Sequence, residues 1–397
     1  MKIVVQKFGG TSVATQQRRE IVADKVIESI KNGLSPVVVV SAIGRKGDPY
    51  ATDTLLSLVN NSESHLDRRE IDLLLSCGEI ISGVVMGETL EKRGYRVKVL
   101  TGGQAGIITN NNYGDAEILR VETEKIKRML EEGIIPIVTG FQGMSNDGDF
   151  TTLGRGASDL TGAVLGEALK AEYIEIYTDV DGIMTADPRI VPDASVIDKI
   201  SYNEVFQFAE QGAKVIHPRA VEYAMRGNIP LYIKNTMSNS PGTIITTARV
   251  NSNRIITGIA HMSNRTQVNI IFNENDPNED NNDLFTMLAE KNISIDLINV
   301  FPSHKVFTID GKDTEKVKEL LKRINANYTL IYNCSKIALI GNGMRGVPGV
   351  MAKILQTLNN NNIKVLQTAD SHNTIWCLVK EEDTIKAINS LHKIFGL

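Results

Sequence analysis

The chain is poor in the residues that several classes of protein require. Its 397 residues include three cysteines, one tryptophan and only 5% aromatic side chains. The cysteines are scattered and form no Cys-x-x-Cys pair, so neither a disulfide framework nor a structural zinc site is expected. A net charge of −4 and few stacking surfaces argue against a nucleic-acid-binding protein.

Long apolar segments are also lacking, since no run approaches the roughly 18 residues of a membrane-spanning helix. The first residues lead directly into a short apolar segment and do not resemble a secretory signal. We therefore expect a cytoplasmic protein without membrane or nucleic-acid partners. The length predicts two or three domains.

Residues 1–245 alternate between short β-branched segments and longer amphipathic ones. The former predict strands at 3–6, 36–41, 96–100, 134–140, 173–178 and 230–234. The latter predict helices at 13–30, 54–59, 71–92, 116–131, 159–170 and 202–226. This alternation predicts an α/β domain whose mainly parallel sheet is covered by helices, with ligands beyond the carboxyl ends of the strands.

The first glycine-bearing turn is Lys7-Phe8-Gly9-Gly10, between a predicted strand and a helix with Thr11 or Ser12 as N-cap. Backbone N–H groups and the helix dipole favour an anion at such a turn. It is not a P-loop, because the lysine precedes the glycines. Alone, the turn is only a weak indication of phosphate binding.

The stretch 151–159 places Arg155 between two glycines and opens a helix with Ser158 and Asp159. An arginine in such a loop suits bidentate capture of a carboxylate or phosphate. The alternative is that Ser158 or Asp159 only caps the helix, which leaves the arginine unexplained.

A third stretch, 177–189, carries three acidic residues and Arg189 after a buried strand, although Asp-Gly and Asp-Pro are also ordinary turn formers. The six histidines show no metal-ligand spacing, and none is interpreted as catalytic.

The C-terminal region contains an internal repeat. Residues 266–324 align with 336–394 at a constant offset of 70, so that Ile270 matches Ile340 and Ile293 matches Ile363. Each copy has the pattern strand, helix, strand, strand, helix, which predicts two small α+β units. The stretch 273–283 looks like a polar insert in the first copy.

Residues 341–346 match the spacing of a dinucleotide-binding Gly-x-Gly-x-x-Gly motif. Too little chain follows for a Rossmann half, and the first repeat copy lacks these glycines. We therefore do not expect NAD binding.

Six segments occur in an order that is typical of one known family. They are KFGGTSV at 7–13, Ser-x-x-Gly at 41–44 with Thr52-Asp53, SCGE at 76–79, TTLGRGASD at 151–159, YTDVDGIMTADPR at 177–189 and GAKVIHP at 212–218. Together these motifs resemble the aspartokinase family. The resemblance implies an amino-acid kinase domain at 1–245 and two ferredoxin-like ACT domains at 255–328 and 334–397. Ala157 replaces a glycine usual in the family, and the chain ends early enough that one ACT strand could be missing or supplied differently.

This resemblance implies transfer of the γ-phosphoryl group of ATP, which arrives with Mg²⁺, to the side-chain carboxylate of L-aspartate. The product, 4-phospho-L-aspartate, would start the biosynthesis of lysine, threonine, methionine and diaminopimelate. A carboxylate is ionised at neutral pH, so no general base is needed, and no protein-ligated metal is expected. Lys7 would contact the transferring phosphate and Asp159 would position Lys7. The implied aspartate contacts are Ser41, Thr52, Glu79, Arg155, Gly156, Ala157 and Ser158. The implied nucleotide contacts are Lys7, Phe8, Gly9, Gly10, Thr178, Asp179, Met184, Thr185, Ala186, Asp187, Pro188, Arg189 and Lys214.

Paired ACT units imply feedback inhibition by an amino acid and self-association into a dimer or tetramer. Lysine is the first candidate effector, with threonine as a possible co-effector. Candidate contacts are Asp296, Leu297, Met344, Val347 and Gly349, although core packing is the simpler explanation for Leu297, Met344 and Val347. The alternatives are a kinase of glutamate, N-acetylglutamate, carbamate or UMP, and a catalytically silent amino-acid sensor.

Overall fold

The computed structural model describes residues 1–59, 66–154, 156–213, 215–247, 254–271, 283–324, 326–344 and 347–397. The strands are β1 Ile3–Phe8, β2 Ser35–Val40, β3 Val97–Leu100, β4 Ile107–Thr109, β5 Ile118–Val121, β6 Ile135–Thr139, β7 Gln142–Ser145, β8 Phe150–Thr152, β9 Tyr173–Thr178, β10 Lys199–Ser201, β11 Leu231–Asn235, β12 Thr243–Thr246, β13 Gly258–Ile271, β14 Ile295–Val300, β15 His304–Asp310, β16 Asn327–Ile340, β17 Gln367–Asp370 and β18 Thr374–Lys380. The helices are α1 Gln16–Lys31, α2 Thr52–Ser57, α3 Arg68–Lys92, α4 Glu124–Glu131, α5 Ser158–Leu169, α6 Tyr202–Glu210, α7 Pro218–Arg226, α8 Asp283–Glu290, α9 Thr314–Arg323, α10 Val350–Asn360 and α11 Thr384–Phe395.

The chain forms two compact units. The first comprises Met1–Ile183, Val196–Ala209 and Lys214–Asn251, and the second comprises Met184–Ser195, Glu210–Ala213 and Ser252–Leu397. The segment Met184–Ser195 is therefore part of the second unit, although its neighbours in sequence belong to the first.

The first unit is built on an eight-stranded sheet in the order β10-β12-β11-β9-β1-β2-β6-β3. All its pairings are parallel except β11 with β12. The valine-rich strands β1 and β2 are buried, as expected for central strands covered on both faces. Helices α1 and α3 cover one face, where Val22 and Met86 pack in a cluster with Phe8 and Val40. This arrangement confirms the predicted fold class.

Helix α3 is long and apolar enough to span a membrane by length and composition. Its buried residues include Leu75, Met86 and Leu90, and Gly83 and Gly87 allow β3 and β6 to approach closely. A core helix can be equally long and apolar. Because many residues of α3 are buried against the sheet, we interpret it as a core helix.

A smaller four-stranded sheet, β5-β4-β7-β8, was not anticipated from the sequence. The helix predicted at 116–131 is therefore wrong in its first half, which contains strand β5. Ile118 and Val121 lie in β5, which pairs antiparallel with β4, and the helix begins only at Glu124. Residues 118–121 include β-branched side chains and have a neighbouring strand to pair with. Strand formation was therefore favoured there, although the spacing of apolar residues is helical.

Two other predicted helix boundaries also differ. The N-cap of α1 is Thr15, whose side chain accepts a hydrogen bond from the Arg18 N–H, and not Thr11 or Ser12 as predicted. Gly10–Ser12 instead form a short 3₁₀ turn. The predicted helix at 202–226 is two helices, α6 and α7. Gly212 has a φ of +96° between them, and Pro218 occupies the start of α7, where a proline is favoured.

The second unit contains a six-stranded antiparallel sheet in the order β14-β15-β13-β16-β18-β17. Each repeat copy has the predicted order of strand, helix, strand, strand and helix. The long strands β13 and β16 pair along both halves, so Gly258–Met262 lie beside Lys336–Ile340. The sequence suggested that a strand of one ACT unit could be missing or supplied differently. In the structure, residues that precede the repeat copy at 266–324 pair with the first strand of the second copy. The predicted polar insert at 273–283 falls almost wholly outside the described residues.

The glycine motif after β16 has a structural role in the residues described. A Cβ on Gly341 would lie 2.4 Å from the Ile255 carbonyl oxygen, so only glycine allows these two backbones to pass. This packing gives a structural reason for the first glycine of the motif.

Candidate active site

The carboxyl ends of three neighbouring parallel strands bring the N-terminal lysine turn together with two other turns. The Ser41 N–H, after β2, donates to the Phe8 carbonyl at 3.1 Å. The Gly9 N–H donates to the Tyr177 carbonyl, in β9, at 3.1 Å. The predicted meeting of strand-end loops is confirmed for these elements. The Gly9 N–H, a predicted backbone donor to the nucleotide phosphate, is thus bonded to β9 in this structure.

Lys7 is buried at the end of β1, and its side chain points towards α5. Its Nζ lies 2.6 Å from Oδ1 of Asp159, in the first turn of α5. Gly162 makes room for the lysine stem, because a Cβ there would lie 3.3 Å from the Lys7 Cβ. The His217 N–H approaches the other carboxylate oxygen of Asp159 at 3.4 Å. His217, on the GAKVIHP stretch, was not expected at this site.

The turn glycine Gly10 is fixed by close backbone contacts. Its carbonyl accepts the Gly44 N–H at 3.0 Å, and a Cβ on Gly10 would lie 2.5 Å from the Ala42 carbonyl oxygen. By contrast, the Phe8 side chain is fully buried and stacks on Tyr177 at 4.8 Å between ring centroids. Any ligand contact from Phe8 must therefore come from its backbone.

A cavity of about 430 Å³ opens beside this turn within the first unit. Five of the predicted aspartate contacts line it, together with Gly10 from the predicted nucleotide set. The five are Ser41, Thr52, Glu79, Gly156 and Ser158. Residues that are distant in sequence, from the turn after β2 and from α2, α3 and the start of α5, thus line the same cavity.

Glu79 is the most unusual group in the cavity. The side chain is 2% exposed, and its Oε1 accepts the Ala42 N–H at 3.1 Å, while Oε2 is buried without a protein partner. Burial raises the pKa of Glu79 to about 8, although the Ala42 hydrogen bond opposes the shift. A buried carboxylate oxygen without a partner favours a cationic ligand at this position.

Asp72 also lines the cavity and was missed in the sequence. It lies seven residues before Glu79 on α3, and this spacing places both carboxylates on the same side of the helix. The spacing was the available signal, but the strong apolar character of α3 obscured it.

Ala157 is a predicted aspartate contact that does not line the cavity. Two other predicted contacts, Arg155 and Lys214, lie outside the described residues. Ala157 is fully buried in an apolar cluster with Leu160 and Val164, so its methyl group packs into the core. The replacement of the usual glycine is therefore accommodated without filling the cavity.

The predicted nucleotide contacts divide between the two units. Thr178 ends β9 in the first unit and Asp179 follows it, where Asp179 pairs with Arg45. Met184–Arg189 belong to the second unit. There Arg189 holds the pKa of Asp187 below its usual value through hydrogen bonds, including one of 2.6 Å from Nη2 to Oδ2.

The same segment is anchored in the core of the second unit. Ala186 and Val191 pack in an apolar cluster with Ile337 and Leu391. The Thr185 hydroxyl lies 2.9 Å from Nε2 of His392, which is on α11. The predicted nucleotide segment is thus physically continuous with the repeat units.

The candidate effector residues fall in separate places within the second unit. Asp296 pairs with the buried Lys336, and Leu297 has a φ of +48° at an irregularity in β14. Met344 packs in a different apolar cluster, Val347 is 39% exposed, and Gly349 precedes α10 with a φ of +91°. The assignment of these five residues to an effector site stays a prediction.

Comparisons with known proteins agree with this architecture. The amino acid kinase family model matches residues 2–235, and an ACT domain model matches residues 329–393. Aspartokinase 1 of Bacillus subtilis (strain 168) is 45% identical over 403 residues that cover 100% of both chains.

Solved structures give the same result. The structure of E. coli aspartokinase III in complex with aspartate and ADP is 28% identical, has a TM-score of 0.78 and covers 99% of each chain. The same enzyme in complex with lysine and aspartate is 27% identical, again with a TM-score of 0.78, and covers 100% of each chain. The chain therefore belongs to the aspartokinase family and is a kinase with ACT regulatory domains.

Proposed function

We propose that the first unit transfers the γ-phosphoryl group of MgATP to the side-chain carboxylate of L-aspartate. The observation that carries the proposal is the cavity that places Glu79, with an unpartnered buried oxygen, beside the strand-end turn of Lys7. E. coli aspartokinase III, a similar protein, has been solved with aspartate and ADP.

In this proposal the cavity orients aspartate by charge. Glu79 receives the α-ammonium group, and Arg155 holds the α-carboxylate. Ser41, Thr52 and Ser158 provide hydroxyl groups, and Gly156 and Ala157 shape the loop. The side-chain carboxylate is left facing the Lys7 turn, already ionised and able to attack without a general base.

Catalysis then depends on positioning and charge neutralisation. The Lys7 ammonium, held by Asp159, neutralises charge that develops on the transferring phosphoryl group. Mg²⁺ enters as part of the substrate MgATP, because this ion commonly binds nucleotide phosphates and keeps several waters. Gly9, Gly10, Thr178, Asp179, Lys214 and the segment Met184–Arg189 are assigned to the nucleotide.

The repeat units at 255–328 and 334–397 are proposed to be feedback sensors for an end-product amino acid. Lysine is the first candidate, since E. coli aspartokinase III has been solved with lysine, and threonine is a possible co-effector. Because Thr185, Ala186 and Val191 pack with the ACT core, effector binding has a route to the nucleotide segment. Self-association into a dimer or tetramer is part of the same proposal.

Trapping the acyl phosphate tests the reaction. Incubation with MgATP, hydroxylamine and L-aspartate should give the aspartyl hydroxamate, whereas L-glutamate, N-acetylglutamate, carbamate and UMP should give little turnover. Hydroxamate or phosphoryl transfer with a competing substrate alone would reassign the cavity. No turnover with any of them would support the silent sensor. Adding lysine and threonine singly and together would identify the effector.

A further inference from the structure

Asp72 is a buried carboxylate that the reaction proposed above does not use. It is 1% exposed and lies in the second turn of α3. Its Oδ2 accepts the Thr152 N–H at 2.8 Å and the Gly114 N–H at 3.0 Å, and its Oδ1 accepts the Thr152 hydroxyl at 2.7 Å. Burial raises the pKa of Asp72, and the three donors oppose the rise.

These three contacts join α3 to two other parts of the cavity wall. Thr152 ends β8 and is followed by the loop that carries Arg155 to the start of α5. Its carbonyl accepts the Ala116 N–H at 2.8 Å, so Thr152 and the 114–116 turn are tied to each other as well as to Asp72. Asp72, Gly114 and Thr152 all line the cavity.

A second connection joins the same elements on the outside. Arg69 Nη2, one turn before Asp72, lies 2.7 Å from Oδ1 of Asp149 in the turn between β7 and β8. The Tyr113 hydroxyl donates to Oδ2 of Asp149 at 3.0 Å. Neither Arg69 nor Asp149 lines the cavity. The outer connection therefore provides a matched control for the inner one.

We propose that Asp72 is a positioning residue that fixes Thr152, at the start of the loop between β8 and α5, and with it the side of the cavity that Gly156 and Ser158 line. The inference rests on the proposed aspartate kinase reaction and adds a determinant of affinity for the amino-acid substrate. Charge-assisted hydrogen bonds from three donors hold the loop more firmly than neutral ones would. A loop displaced by about 1 Å would misplace its ligand and weaken binding on the order of tenfold or more.

The contacts favour positioning over direct substrate binding. Both oxygens of Asp72 already accept donors from the protein, whereas Oε2 of Glu79 has none. Within the described part of the cavity, Glu79 is the better receptor for an ammonium group. Asp72 then acts through Thr152 and Gly114, not on the substrate itself.

The experiment compares Asp72→Ala, Asp72→Asn and Asp149→Asn with the parent enzyme in the hydroxamate assay. Asp72→Ala should raise the aspartate KM about tenfold or more, with the ATP KM within about threefold. The aspartate KM of Asp72→Asn should lie between those of the parent and Asp72→Ala, because an amide oxygen can still accept the N–H groups of Gly114 and Thr152. Asp149→Asn should leave the aspartate KM unchanged. If Asp72→Ala does not fold, Thr152→Val removes only the hydroxyl donor and should give a smaller rise in the same KM.

Amide hydrogen exchange provides a readout that does not depend on activity. The Gly114 and Thr152 amides should exchange faster in Asp72→Ala than in the parent or in Asp149→Asn. An unchanged aspartate KM in Asp72→Ala would overturn the inference, as would an equal rise in Asp149→Asn. Equal loss in Asp72→Asn and Asp72→Ala would also overturn it by indicating a direct charge contact. Failure of the parent enzyme to phosphorylate aspartate would instead contradict the proposed function, and faster exchange in Asp72→Ala would still be observed.

Discussion

Lys7 and Asp159 form an ion pair in which Nζ lies 2.6 Å from Oδ1 and the side chains are 10% and 13% exposed. The pair joins the end of β1 to the first turn of α5. A partly buried cation held in this way has a fixed position at the strand-end turn. It can neutralise charge on a phosphoryl group without reorganising.

Lys7→Ala should therefore lower kcat by about a hundredfold or more, because it removes this preorganised cation. It also leaves the Asp159 carboxylate without its cation, which should lower the thermal stability. Steady-state kinetics and thermal unfolding of the same preparation measure both effects.

The double variant Lys7→Ala/Asp159→Asn separates the two effects. It removes the uncompensated charge, so its unfolding temperature should recover towards that of the parent, while its activity should remain as low as in Lys7→Ala. Substantial turnover by either variant would remove the charge-neutralising role of Lys7.

The stability of the first unit should depend on the ionisation of Glu79. Burial raises the pKa of this group to about 8 from its usual 4.5, so between these values the folded state holds a proton that the unfolded state has released. The free energy of unfolding should then fall as pH rises from about 5 to 8. In Glu79→Gln this contribution should be absent, giving a relative stabilisation at pH 8 of a few kcal/mol. Urea unfolding at both pH values measures the difference, and parallel pH profiles for the two proteins would contradict the assignment.

Ionisation of Glu79 should also affect aspartate binding, but here a rise in pH should strengthen the interaction. The α-ammonium group prefers the carboxylate form of Glu79, so the aspartate KM of the parent should fall as pH rises from 6.5 towards 8.5. The Glu79→Gln variant should have a high KM with little of this dependence, while its ATP KM stays close to that of the parent. A parent-like profile in Glu79→Gln would assign the titration to a group other than Glu79.

Arg155→Lys tests whether Arg155 binds the α-carboxylate of the substrate, as predicted. Lysine keeps the charge but cannot form the bidentate fork of a guanidinium group. The aspartate KM should rise much more than the ATP KM. Equal increases in both constants would mean that Arg155 serves a different ligand.

Much of the first unit could be predicted from the sequence because parallel strands buried on both faces leave a clear local pattern. Strand β9 was predicted with its observed bounds, 173–178. The order of strands and the small sheet containing β5 depend on pairings between distant residues, which no local pattern specifies. Ile118 and Val121 were assigned to a helix for this reason.

The candidate site also contains residues that could be predicted from the sequence and residues that could not. Lys7, Ser41 and Glu79 could be named from motifs, and the meeting of the turns that follow β1 and β2 is expected from the parallel sheet. The role of Asp72 depends on donors 42 and 80 residues away. The placement of Ala186 and Val191 in the second unit depends on packing with Ile337 and Leu391. These relationships exist only after tertiary folding.

A crystal structure with MgADP and L-aspartate tests the central claim most directly. We expect the aspartate ammonium on Oε2 of Glu79, its side-chain carboxylate facing Lys7, and the nucleotide phosphates at the turn that contains Gly10. Either ligand bound away from Lys7 would contradict the account.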